Sequence, residues 1–118
     1  MTILFFTHGS KDFLNEVAYA VLSYYQHHKA AENNIVVYTD NEAYLRTILP
    51  AEVRYVNVSP AQVKQWRGAI DFVHRVKIEV LNDALQRFPN EHILYLDSDV
   101  CFKQNISFLE EKIRQGTP

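Results

Sequence analysis

Apolar residues in this chain fall into short unbroken runs that alternate with longer segments of helical spacing. Ile3-Leu4-Phe5-Phe6 is the first run, Ile35-Val36-Val37-Tyr38 the second and Ile93-Leu94-Tyr95-Leu96 the last. None of them alternates polar with apolar residues, so each predicts a strand buried on both faces. Val53 to Val58 alternates moderately and predicts a further strand, third in chain order; the fourth spans His92 to Leu96. Between the runs, Leu14, Val17, Ala18, Val21, Leu22 and Tyr25 recur at helical spacing and predict a helix from Asp12 to about His28, with Ser10 as its cap. A short helix is expected over Glu42 to Leu49, capped by Asp40 or Asn41 and stopped at Pro50. Ser59, Pro60 and Gln62 together signal another helix start, which Gly68 breaks or kinks. A longer helix should run from about Ala69 to Phe88, its stripe made of Val73, Val76, Val80, Leu81, Ala84, Leu85 and Phe88. Ile106 to Arg114 predicts a last short helix.

The order β-α-β-α-β-α-β predicts an α/β fold, a mostly parallel sheet of about four strands flanked by helices. Right-handed crossovers would bring all the strand ends to one edge. Thr7, His8, Thr39, Asp40, Asp97 and Asp99 would gather there.

That edge directs attention to the last strand, which runs straight into Asp97-Ser98-Asp99. Carboxylates at i and i+2 share one side of an extended chain. Two such groups suit a hard divalent cation such as Mg²⁺ or Mn²⁺, at the sheet edge where open α/β folds bind ligands. Two solvated Asp residues can also simply close a strand into a turn, and both readings stand at this point. Lys77 lies inside the apolar stripe of the long helix, so its charge must snorkel out or find a partner. Arg75 points away from that stripe and reads as a surface charge. Asp40 reads equally as a helix cap or as a strand-end acceptor for a base or ribose, and His8 as a loop residue or a metal ligand. His27 and His28 sit at a helix end, where imidazolium would favour the dipole; neither is assigned a role.

Composition removes several function classes. The 118 residues support one domain with a genuine core, and a net charge of −2 with scattered Lys and Arg argues against nucleic acid. With three glycines and no G-x-G-x-x-G or G-K-[ST] stretch, a backbone phosphate cradle is not expected. The one cysteine, Cys101, reads as a small apolar residue and suggests a reducing compartment. No apolar run is long enough to span a bilayer, so no transmembrane segment is expected. A cytoplasmic location is the default, with peripheral association at a membrane left open.

His74-Arg75-Val76-Lys77-Ile78, a helix, and then Ile93-Leu94-Tyr95-Leu96-Asp97-Ser98-Asp99-Val100 resemble the nucleotide-sugar half of GT-A fold glycosyltransferases. The similarity is greatest to the glycogenin and lipopolysaccharide galactosyltransferase group. It covers Ile3 to about Ile113 and implies a Rossmann-like N-terminal half, with residues 1–118 as a nucleotide-sugar-binding domain. It further implies a metal-dependent transferase using a nucleotide-diphospho-sugar, a UDP-sugar above all, and an acceptor that is carbohydrate, lipid-linked or protein. Asp97 and Asp99 would hold Mn²⁺ (or Mg²⁺) against the donor diphosphate, one of them also near the ribose. Thr7 and His8 would line the nucleotide pocket, Asp40 would lie near the base, and Arg75 would reach the diphosphate or sugar, with Lys77 a second cation. In that group the acceptor site follows the D-x-D strand, whereas about twenty residues follow Asp99 here. The expectation is therefore a donor-binding part of a longer enzyme, its sheet edge covered by further sequence or by a partner chain. Two alternatives accompany it: a non-catalytic or truncated nucleotide-binding domain, and a haloacid-dehalogenase-type phosphatase with Asp97 as nucleophile.

Overall fold

A computed structural model of the chain describes residues 1–29, 32–68, 73–97, 101–104, 106 and 109, the side chains at 73 and 74 excepted. Its elements are β1 (Thr2–Thr7), α1 (Lys11–Tyr25), β2 (Asn34–Thr39), α2 (Glu42–Arg46), β3 (Arg54–Asn57), α3 (Pro60–Arg67), α4 (Val73–Arg87) and β4 (Ile93–Tyr95). The four strands form one sheet in the order β3-β2-β1-β4, every neighbouring pair parallel. The fold is thus α/β and Rossmann-like, as the alternation of runs predicts.

Period-two alternation divides the strand residues between two cores. Ile3, Phe5, Ile35 and Val37 face one side, where α1 contributes Leu14, Val17, Val21 and Tyr24 and α2 contributes Leu45. Leu4, Val36 and Tyr38 face the other, against Val63 of α3 and Val76, Val80 and Ala84 of α4. Helices on both faces explain why the runs are uniformly apolar. Register pairs Ile3 with Ile35 and Leu4 with Val36, which keeps each face in line across β1 and β2.

Several details differ from the sequence-based expectation. Helix α1 stops at Tyr25, and the aromatic residue it buries in its last turn is Tyr24, whose hydroxyl accepts from Asn33 Nδ2 at 3.0 Å. Leu22 is partly exposed. On α4 the buried stripe is the strict i, i+4, i+8 set Val76, Val80 and Ala84; Leu85, about 100° round from Ala84, is 55% exposed. Ser10 occupies the N-cap of α1 without a side-chain cap bond, and Asn41, not Asp40, caps α2 by accepting Tyr44 N–H at 3.2 Å. Ser59 caps α3 through Gln62 N–H, with Pro60 following, as the three start signals indicate. β4 covers only Ile93–Tyr95 of the expected His92 to Leu96, and Phe102 further on packs back against α1. Most of the helix expected over Ile106 to Arg114, and residues 69–72 at the expected start of the long helix, lie outside the described residues.

Candidate functional site

Strand order fixes where a ligand can enter. From β1 the chain winds outward through β2 to β3, then crosses back to lay β4 on the opposite side of β1. The helix that follows β1, α1, and the helix that precedes β4, α4, pack on opposite faces of the sheet, which leaves a crevice at the carboxyl ends of these two neighbours. A cleft of about 410 Å³ occupies that place. The end of β1 supplies Phe6, Thr7 and His8, β4 and its exit supply Tyr95 and Asp97, α1 supplies Phe13 and Glu16, α3 Arg67, and α4 Val76 and Lys77.

Thr7 ends a buried strand and is itself 3% exposed. Its Oγ1 has no hydrogen-bond partner among the described residues. A buried hydroxyl without a partner costs free energy, about 1–3 kcal/mol, a condition that Thr7 shares with Thr2 and Tyr55, which lie outside the cleft lining.

His8 follows, with its ring 5.2 Å from that of Phe6. Burial pushes its imidazole below the ordinary 6.5; the Asp40 carboxylate opposes the shift and the Arg67 guanidinium adds to it. The next residue, Gly9, has φ +82°, a conformation that suits glycine, and its N–H donates to both Asp40 carboxylate oxygens at 3.3 Å. Asp40 thus ties the exit of β2 to the exit of β1 and shapes the wall that carries His8. It does not line the cleft itself.

Across from these, Lys77 Nζ lies 2.7 Å from Asp97 Oδ1, with both side chains about half exposed. The lysine that interrupts the α4 stripe has found a carboxylate partner. Tyr95 lies between the two walls, and burial first, then the Asp97 charge, pushes its phenol up to about 12. At neutral pH it remains a hydrogen-bond donor.

Of the residues singled out from sequence, Thr7, His8, Lys77 and Asp97 share one cleft, and Asp40 braces it from behind. Arg75 does not line it: its Nε is 3.9 Å from Glu79 Oε1, and its guanidinium lies over Gly68. Asp99 lies outside the described residues. Arg67, Phe13, Glu16 and Tyr95 belong to the cleft and went unmarked in sequence. Arg67 carried a usable signal, since a cation in the last turn of a helix that stops at a glycine sits at a defined end of the layer.

For a metal, the described residues contain no cluster of three or more His, Cys, Asp or Glu side chains placed to enclose an ion. Ions such as Mg²⁺ at phosphate sites are held by one or two carboxylates and leave other positions to water and phosphate. Asp97 fits that role: its carboxylate is 56% exposed at the cleft. Comparison of the chain with models of known families, with curated proteins and with solved structures gave no match.

Proposed function

We propose that this chain is the donor-binding domain of a metal-dependent glycosyltransferase, taking a nucleotide-diphospho-sugar, a UDP-sugar above all, into the cleft between β1 and β4. The observation that carries the reading is the cleft at the switch point, which Thr7, His8 and the Lys77–Asp97 pair line together. Its size, about 410 Å³, lies within the range of small-molecule sites.

In this reading Thr7 Oγ and the Tyr95 phenol hydrogen-bond the nucleoside, and neutral His8 packs beside it. Lys77 leaves Asp97 to meet a diphosphate oxygen, exchanging one anionic partner for another. Asp97, with Asp99 as the second carboxylate of the motif, would hold Mn²⁺ or Mg²⁺, which would supply positive charge to stabilise the departing diphosphate. Phe13 and Val76 restrict water on the cleft walls, which strengthens these charge contacts.

The test is calorimetric titration of UDP into the protein with Mn²⁺ and with EDTA, repeated with Asp97→Ala and Asp99→Ala. Metal-dependent binding lost in both variants is expected. No binding to the folded protein, or binding that ignores both exchanges, would overturn the proposal. Release of free sugar from a UDP-sugar, or its transfer, separates an enzyme from a domain that only binds nucleotide.

A further inference from the structure

A second cavity lies on the α3 and α4 side of the sheet, by the ends of β2 and β3, and shares no lining residue with the cleft. Its volume is about 240 Å³, and its polar lining comes from Tyr38, Asn57, Gln62, Trp66, Asp83 and Arg87. These residues belong to four separate elements, β2, β3, α3 and α4. Helix α3 stands between the two sites, with Trp66 lining this one and Arg67 the other.

The charges here are already closed on each other. The hydroxyl of fully buried Tyr38 donates to Asp83 Oδ2, and Arg87 Nε donates to the same oxygen at 2.5 Å. Burial, followed by the Asp83 contact, raises the Tyr38 phenol well above its ordinary range, so it stays a donor and holds the carboxylate in place. What the cavity offers a ligand is then neutral in sum. Asn57 and Gln62 each carry one carbonyl acceptor and an NH₂ with two donors. An ion would find no uncompensated charge, and an apolar guest would strip water from these amides without replacing their bonds. The size is below the common range for cofactor and drug-sized ligands, about 300–1,000 Å³, and suits a single ring.

We propose that this cavity binds one saccharide ring, its hydroxyls bonded to Asn57, Gln62 and the outer nitrogens of Arg87. A pyranose matches the lining in size and because its hydroxyls both donate and accept. The inference is independent of nucleotide binding in the cleft.

Trp66 is the sole tryptophan of the chain, so intrinsic fluorescence reads this cavity directly. The protein is titrated with methyl glucopyranoside and methyl galactopyranoside, with acyclic sorbitol as the control, while ¹⁵N spectra follow the side-chain amides. At least one glycoside is expected to give a saturable fluorescence change and to move the Asn57 and Gln62 NH₂ signals, with millimolar affinity for so few contacts. The combined exchange of Asn57→Ala and Gln62→Ala should weaken binding about tenfold, since each removes hydrogen bonds to the ring. Asn57→Ala alone, at an exposed position, serves if the pair lowers stability. Changes that stay linear for both glycosides, or that persist in the variants, would overturn the proposal. So would shifts confined to Thr7, His8 and Tyr95. A parallel UDP titration reads those cleft signals instead, so either site can fail without the other.

Discussion

Lys77 Nζ and Asp97 Oδ1, 2.7 Å apart, join α4 to the chain just beyond β4 at the one cleft that the strand order creates. Both side chains are about half exposed, so the pair adds little to stability, about 0–1 kcal/mol. Lys77→Met should therefore leave the melting temperature nearly unchanged. Its effect should appear in binding: UDP affinity measured with Mn²⁺ should fall by about tenfold, the equivalent of ~1.4 kcal/mol. Calorimetry and thermal melting on the same samples check this. Unaltered UDP affinity would remove Lys77 from the diphosphate site.

Thr7→Val separates fold from ligand in the opposite sense. The exchange replaces a buried hydroxyl that has no partner among the described residues with a methyl of similar size. Relief of the unmet hydrogen bond should leave the free protein as stable or up to about 1 kcal/mol more stable. UDP affinity should fall, because the ligand loses the atom that would satisfy it. A lower melting temperature with undiminished UDP binding would mean that the hydroxyl serves the fold.

His8 gives the pH dependence. Its folded value lies below the 6.5 of the free side chain, chiefly through burial. The unfolded chain thus binds the proton more readily, and stability rises with pH across this window. The contribution is fully present above about pH 6.5 and is lost as pH falls through the folded value. Melting followed between about pH 8 and pH 5 should show a smaller acid-side loss in His8→Asn than in the parent. Parallel curves for the two proteins would place the proton elsewhere.

How much of this was legible in sequence depends on the range of each interaction. The uninterrupted strands, the Ser59-Pro60 start and the glycine stop of α3 are local, and each residue announces its own role. Strand order is not local: right-handed crossovers put every strand end on one edge but leave open that β4 lies beside β1. The partners of the site residues come from that pairing. Asp40 was readable as a cap or as a ligand-edge acceptor, whereas its partner, the Gly9 N–H, lies 31 residues away. Lys77 was readable as an ill-placed charge, but Asp97 as its partner required the fold. His28 carried no sequence signal for its contact with a segment 78 residues on.

Gly68 ends α3 at φ +76° and ψ −174°, a region populated essentially by glycine, and a Cβ there would run into the Arg75 guanidinium. Gly68→Ala should cost about 1–3 kcal/mol from the backbone, with the displaced Arg75 adding to it. In an Arg75→Ala background the same exchange should cost less, since only the backbone part remains. Chemical denaturation of the four proteins measures the difference as a coupling energy. Equal costs in both backgrounds would show that Arg75 swings aside freely.

The segment after the D-x-D motif is held at two points, by α1 and by the turn that follows it. Buried Ser23 Oγ donates to Ala20 O at 2.7 Å and accepts Phe102 N–H at 2.8 Å. One turn and a half on, His28 Nε2 accepts Ile106 N–H at 3.0 Å, which leaves Nδ1 to carry the ring proton and donate to Tyr24 O at 3.1 Å. The imidazole stacks on Tyr24, and Phe102 meets both rings edge-on. Ser23→Ala leaves the Phe102 N–H unmet and should cost about 1–3 kcal/mol; His28→Ala also removes a stacked ring and should cost at least as much. Because both bonds hold one short segment, cutting either releases much of what the other contributes. The double variant should therefore lose less than the two single losses added. Amide exchange at Phe102 and Ile106 should accelerate together in either single variant. Acceleration of only the directly affected amide, with additive losses, would mean two separate anchors.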